Sequence, residues 1–214
     1  GHCELPRDYI SRAVETLIRT GADNVGGVMA AEGTTDFESA VALAMTSKLG
    51  VGGAPFHVGG QEGEAQTVYL GVFRAQTLQR VGGYDESFDR AQDWEMNHRI
   101  RSLGGKIWFN PQMQVSYRPR PDLKALARQY FRYGKGRART ALKHRRLPTV
   151  RPLLPFGLVV GGALLVATSR WQPFTRWVAG AYATACLAEA VRVSRHGRPA
   201  APSSVPTIAA IFPV

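Results

Sequence analysis

The first 117 residues of this 214-residue chain predict an α/β fold, and three observations carry that reading. Strand-like and helix-like segments interleave. Glycines close the helical stretches, at Gly21, at Gly82-Gly83 and at Gly104-Gly105. The runs between them are rich in β-branched and aromatic residues, as in Val68-Tyr69-Leu70-Gly71-Val72-Phe73. In order, the spacing predicts a helix from about Pro6 to Arg19, with Tyr9-Ile10, Val14 and Leu17-Ile18 as its apolar residues. A short buried strand over Asn24–Met29 follows. Thr34/Thr35 with Glu38 has the form of a capping box, opening a helix through Leu49. Residues 50–65 hold six glycines and one proline and predict a flexible loop. A strand over 66–73, a helix over 75–81, a helix from about Arg90 to Leu103 and two strands around Pro111 complete the alternation.

Beyond Tyr117 the composition changes. The net charge of +11 is zoned: residues 1–117 carry −4, residues 118–151 carry +11 and residues 152–214 carry +4. Leu123, Leu126-Ala127, Tyr130-Phe131 and Gly134 make one apolar stripe, with Lys124, Arg128, Arg132 and Lys135 beside it. A basic amphipathic helix of this kind lies on a membrane surface, and the same stripe also suits a helix packed on the domain. Pro152–Thr168 is free of charged residues, and Phe174–Val191 is mostly apolar between Arg176 and Glu189. Both stretches are expected to span a membrane at the short limit of about 20 residues, with a third span opening from Ile208, although a buried hairpin fits them as well. Arginines on the flanks place the first 117 residues on the cytosolic side of an inner membrane crossed several times. Three regions follow: 1–117, a basic interfacial segment 118–151, and 152–214. A positive segment set against apolar stretches argues against a nucleic-acid partner. Cys3 and Cys186 stand apart, with no metal-type spacing and no disulfide framework.

The chemistry concentrates in Val81-Gly82-Gly83-Tyr84-Asp85-Glu86-Ser87-Phe88, followed by Ala91-Gln92-Asp93-Trp94-Glu95-Met96 and Arg99. A glycine turn delivers an acidic dipeptide to a helix that opens with Asp93 in its first turn, where the helix dipole favours a carboxylate. An ionised carboxylate there can take a proton from a bound hydroxyl. By itself, an Asp-x-Glu in a first turn is equally an ordinary helix start.

The whole run resembles the acceptor-binding region of family 2 glycosyltransferases, with Gln92 where a Glu is commoner. The resemblance implies the C-terminal, acceptor-side part of a nucleotide-diphospho-sugar transferase fold of the GT-A type. It implies Asp93 as catalytic base, and Asp85, Glu86, Gln92 and Trp94 around the acceptor. Gly1-His2-Cys3 is similar to the end of a metal-binding motif, which makes His2 a ligand to a divalent cation, Mn²⁺ or Mg²⁺. Arg128-Gln129-Tyr130-Phe131-Arg132-Tyr133 is similar to the Q-x-x-R-W element of membrane polysaccharide synthases, with Tyr133 for the Trp. That likeness assigns Gln129 and Arg132 to the donor diphosphate. The implied activity is an inverting transfer from a nucleotide-sugar donor to a lipid-linked or polysaccharide acceptor at the cytosolic membrane face, of the succinoglycan-biosynthesis type. With both chain ends reading as cuts, the piece is expected to be inactive alone. The other reading is a non-catalytic, membrane-anchored scaffold built on the same fold.

Overall fold

The computed structural model describes residues 3–88, 90–145, 157, 160–164, 167, 173–196 and 204–212. Among these, five strands form one mixed sheet: β1 (Cys3–Glu4), β2 (Asn24–Ala31), β3 (Gly63–Glu64), β4 (Tyr69–Phe73) and β5 (Ile107–Tyr117). The order is β1-β5-β2-β4, with β3 also on β5. β2 and β5 run parallel at the centre and the other pairs are antiparallel. The helices are α1 (Tyr9–Thr20), α2 (Asp36–Ala44), α3 (Lys48–Val51), α4 (Pro55–Val58), α5 (Ala75–Val81), α6 (Gln92–Ser102), α7 (Leu123–His144), α8 (Pro173–His196) and α9 (Ser204–Ile211).

The interleaving of strands and helices read from the sequence is present, with corrections that have physical causes. α1 buries Tyr9, Ala13 and Leu17 against Val25, Met113 and Val115, while Ile10, Val14 and Ile18 face outward. The alanine lets the helix sit close to the sheet, so the smaller side chains define the packed face. The helix expected to reach Leu49 stops at Ala44, because Ser47 turns the chain and caps α3 by accepting from the Leu49 N–H at 3.0 Å. The stretch expected as a flexible loop holds α4, β3 and the second half of α3, and Phe56 from α4 packs on the core.

Around Pro111 one strand, β5, replaces the two expected. Proline has no N–H for the ladder, so the strand must bulge there. Gly26 pairs with Phe109 and Val28 with Gln114, and the slack is taken up by a tight turn in which Asn110 Oδ1 accepts from the Gln112 N–H at 2.9 Å. The bulge changes the parity of β5. Ile107 and Phe109 pack with Met96 and Ile100 of α6, whereas Met113 and Val115 pack with α1.

At this point β2 must be glycine. A Cβ on Gly27 would lie 1.7 Å from the Met113 carbonyl oxygen, and one on Gly26 would lie 2.4 Å from that of Tyr69.

The segments beyond Tyr117 share a core with α2. Leu126 of α7, Ala190 and Val193 of α8, and Ile208 and Ile211 of α9 pack with Ala40, Val41 and Ala44. Among the described residues no helix is long and apolar enough to cross a membrane. The span expected over 174–191 falls in α8, which is long, but Glu189 pairs with Arg192 at 2.6 Å and accepts a hydrogen bond from Ser47, tying this face to the fold. The span expected from Ile208 is an eight-residue helix with Ile208 and Ile211 buried against α2. The span expected over 152–168 lies mostly outside the described residues.

α2 opens on Thr35, whose hydroxyl accepts from the Glu38 N–H at 3.2 Å, as the capping box requires. The Glu38 carboxylate turns to the Thr34 hydroxyl at 2.7 Å and N–H at 2.8 Å, and to Arg118 at 3.1 Å. These bonds, led by the Thr34 hydroxyl, hold its pKa at about 2, against 4.5 for a free Glu. The unfolded chain therefore takes up this proton first. The resulting stability is complete above about pH 4.5 and is lost as pH falls toward 2, a window that acid titration of the folded fraction by circular dichroism checks. Gly27→Ala is expected to cost at least about 3 kcal/mol, because backbone rather than a flexible side chain would have to move. Urea denaturation measures that loss, and an unchanged midpoint would remove the bulge from its assigned place in the fold.

Candidate active site

The site is built at the turn from α5 to α6. α5 ends in Gly82 and Gly83, both left-handed at φ 75° and 69°. Two guanidinium bonds hold that turn in place: Arg99 of α6 donates to the Val81 carbonyl and, at 2.7 Å, to that of Gly83. Asp85 accepts from the Ser87 N–H at 2.9 Å, and Phe88 is buried beneath the side chains of Arg139 and Lys143. Ala91, at φ 62°, is left-handed although it carries a side chain, and α6 begins at the next residue. A non-glycine residue in this conformation is a local strain that the surrounding contacts hold.

Asp93 and Glu95 are two residues apart on one helix and so point about 200° apart. Glu95 turns inward and is fully buried. Arg99 bonds both of its oxygens, at 2.9 and 3.0 Å, and Lys143 Nζ and His144 Nε2 reach Oε1 at 2.7 and 2.9 Å. Burial pushes this carboxyl up, and the bonds from Arg99, Lys143 and His144 outweigh that, leaving its pKa lowered. Lys143 also pairs with Asp85 at 2.6 Å, so one buried anion ties α6, α7 and the glycine turn together.

Asp93 turns outward and is exposed to solvent, yet protein surrounds it closely enough to desolvate it. Desolvation raises its pKa, against the N–H groups of Trp94 and of Asp93 itself and the charge of Arg137. Its Oδ1 accepts from the Trp94 N–H at 2.8 Å. The helix dipole named from the sequence is thus present but loses to enclosure, and the result is a carboxylate more basic than a free Asp. The Tyr84 hydroxyl beside it is raised by desolvation and by the Asp93 charge. His57 of α4 is driven down to about 4 by burial and by Arg137, and its Nδ1 is buried without a hydrogen-bond partner among the described residues.

α7 crosses the mouth of α6. Gly136 lies so close that a Cβ there would be 2.8 Å from the Arg90 carbonyl oxygen and 3.0 Å from Ala91 Cβ. Further along, Arg139 donates to the Ser87 carbonyl at 2.7 Å.

Gln92, Asp93 and Trp94 are consecutive at the start of α6, whereas Asp85 is held through Lys143 on the side of Glu95. Gln92 is half-buried, Glu86 is exposed, and Trp94 stacks on His98 with ring centres 6.5 Å apart at 15°. Gln129 is engaged two turns earlier on α7, accepting from Arg120 at 2.6 Å and donating to the hydroxyls of Tyr117 at 3.1 Å and Tyr133 at 2.9 Å. Arg132 is exposed and makes no hydrogen bond or ion pair among the described residues. His2 lies outside the described residues. Among the described residues no group of His, Cys, Asp and Glu is arranged to hold a metal ion, so they supply no ligand set for the expected cation. The apolar stripe expected on α7 divides: Leu126 is buried and Tyr130 half-buried, whereas Leu123 and Phe131 are exposed.

Sequence reasoning passed over the inward role of Glu95, its partners Lys143 and His144, and Arg137. The i, i+4 spacing of Glu95 and Arg99 was the available signal for the first. Nothing local signals the others, since they stand more than forty positions away in the chain.

No protein-family model matches the chain. Among curated proteins it is 39% identical over 188 residues to the succinoglycan biosynthesis protein ExoA of Rhizobium meliloti (strain 1021). The match covers 87% of this chain and 56% of the relative, so the chain spans about half the length of the curated relative it matches. The likeness read from Val81 to Arg99 thereby meets an independent finding: over most of its length, this chain is similar to a protein named for succinoglycan biosynthesis.

Proposed function

We propose that this chain is the acceptor-side part of a glycosyltransferase of exopolysaccharide biosynthesis, with Asp93 as its general base. The observation that carries the reading is the outward Asp93 carboxylate, made more basic by enclosure and set on a helix start that Glu95 and Arg99 immobilise. The hydroxyl of a polysaccharide or lipid-linked acceptor gives its proton to an Asp93 oxygen as the acceptor oxygen bonds to the anomeric carbon of a nucleotide-activated sugar. The bond from that carbon to the donor diphosphate breaks on the opposite side, and the diphosphate leaves with the electron pair, which inverts the centre. Trp94 and Gln92 flank the acceptor, and Asp85 and Glu86 shape the turn beneath it.

The likeness to ExoA supports the exopolysaccharide context. The outer face of α7 supports a membrane-surface location. Lys124, Arg128, Phe131, Lys135 and Leu142 are all exposed, and their spacing sets them along one side of the helix. Attraction between this face and the anionic cytosolic leaflet contributes about 1 kcal/mol per basic residue.

In the intact protein, Asp93→Asn is expected to lower kcat by about two to four orders of magnitude while leaving donor binding in place. Steady-state transfer assays beside a donor-binding titration measure both, and undiminished turnover would take Asp93 out of the reaction. The base acts only when ionised, and its pKa is raised by desolvation. The acid limb of kcat/KM is therefore expected at a higher pH than a free aspartate would set, and to vanish from the profile of Asp93→Asn.

A further inference from the structure

A second tether holds α6 on the side away from Glu95. Asn97 stands two positions after Glu95, about 200° round the helix, and is buried. Its side-chain oxygen accepts from Asn24 Nδ2 of β2 at 2.7 Å. Its Nδ2 donates to the Thr67 hydroxyl, just ahead of β4, at 2.9 Å. One amide therefore joins the helix to β2 and to the approach to β4.

The surroundings make this string unfavourable. Met96 and Ile100 of α6 pack with Val68, Ile107 and Phe109 in an apolar cluster. Asn97 is next to Met96 in the chain, Thr67 is next to Val68, and Asn24 is the ladder partner of Ile107. Asn24 is fully buried, and its Oδ1 has no hydrogen-bond partner among the described residues. It fills the space left by Gly71, where a Cβ would lie 2.3 Å from it. A buried acceptor without a donor lowers stability, and leucines of the same branched shape would fill both asparagine positions without that loss. What the amides supply and leucines do not is direction, since hydrogen bonds fix the distance and the angle between helix and sheet. Asp93 lies one turn before Asn97, about 6 Å along the axis and close to the same side of the helix. A turn or slide of α6 that breaks the Asn97 bonds moves Asp93 with it.

We propose that Asn97 is a positioning residue for Asp93: its bonds to Asn24 and Thr67 set where the carboxylate stands at the mouth of α6, and so how it meets the acceptor hydroxyl. The proposal rests on the reading of Asp93 as general base. Asn97 itself exchanges no proton with the substrate.

The test combines Asn24→Leu with Asn97→Leu in the intact protein, so that both amides become apolar together and neither is left unpaired. Urea denaturation is expected to give a midpoint no lower than the parent's. At the same time kcat is expected to fall on the order of tenfold to a hundredfold, the loss that follows a small misplacement of a reacting group. The acid limb of kcat/KM is expected to move to lower pH, because a displaced carboxylate loses the enclosure that now makes it more basic. A role in stability alone leaves that limb in place. A folded double variant with the parent's kcat, or with a reduced kcat and an unmoved acid limb, overturns the proposal. Should the double variant not fold, the half-buried Thr67 decides. Thr67→Val then lowers kcat and moves the same limb while Thr67→Ser, which keeps the hydroxyl, restores both, and parent-like kinetics in Thr67→Val refute the role. Asp93→Asn separates this claim from the one beneath it. Undiminished turnover there removes the general base and this proposal with it, whereas lost turnover beside an unaffected leucine pair leaves the base standing and strikes Asn97 alone.

Discussion

The arrangement depends on one buried anion. Glu95 has no contact with solvent, and a carboxylate in that position is tolerable only because a guanidinium, an ammonium and an imidazole meet it. Its partners come from its own helix and from the far end of α7, and through Lys143 it also reaches the turn at Asp85. Removing one partner from such a cluster costs about 3–5 kcal/mol, more than replacing the whole set by apolar groups would. The cluster is thus a device for specificity of position rather than for stability. It sets the angle at which α7 crosses α6, and with it everything that lines the mouth of α6.

From that crossing follows a division of labour between two acids of one short motif. Helical geometry sends Asp93 and Glu95 to opposite sides, so the same three residues give a fixed inner anchor and a free outer group. The outer group is exposed and yet desolvated by the protein around it. These two conditions conflict on a smooth surface. They are met together only where a second element overhangs, and α7 is that element, held at contact distance by the absence of a side chain at Gly136.

The sequence made legible what is local. The alternation of strands and helices, the capping box at Thr35, the glycine turn and the helix opening at Gln92 all depend on residues within about one turn of each other, and each is where its pattern places it. What it hid depends on pairing at a distance. Pro111 signals an interruption, but whether the strand ends or bulges is decided by the glycines of β2, more than eighty positions earlier. Which of the apolar residues of α1 are buried is likewise decided by the sheet, which covers Tyr9, Ala13 and Leu17 and leaves Ile10, Val14 and Ile18 exposed. Asp93, by contrast, was legible in place but not in electrostatics, since the dipole of its own helix is local and the enclosure that overrides it is not.

The segments after α7 sharpen the same point. Apolar composition led to the expectation of membrane spans over residues 174–191 and from 208, but composition does not say what an apolar side chain will meet. In α9, Ile208 and Ile211 meet Ala40, Val41 and Ala44 of α2, and in α8 Ala190 and Val193 join them. Small residues on α2 and α8 let the helices approach closely, a packing rule that serves inside a globular core as well as between spanning helices. Glu189, held by Ser47 and Arg192, is a polar link between α8 and the chain just after α2. Apolar surface that has found a partner within the fold is no longer available to lipid. The proposed contact with a membrane surface therefore rests on side chains that stay uncovered: Phe131 and Leu142 beside exposed Lys124, Arg128 and Lys135 on α7, and Trp177 and Leu187 on α8.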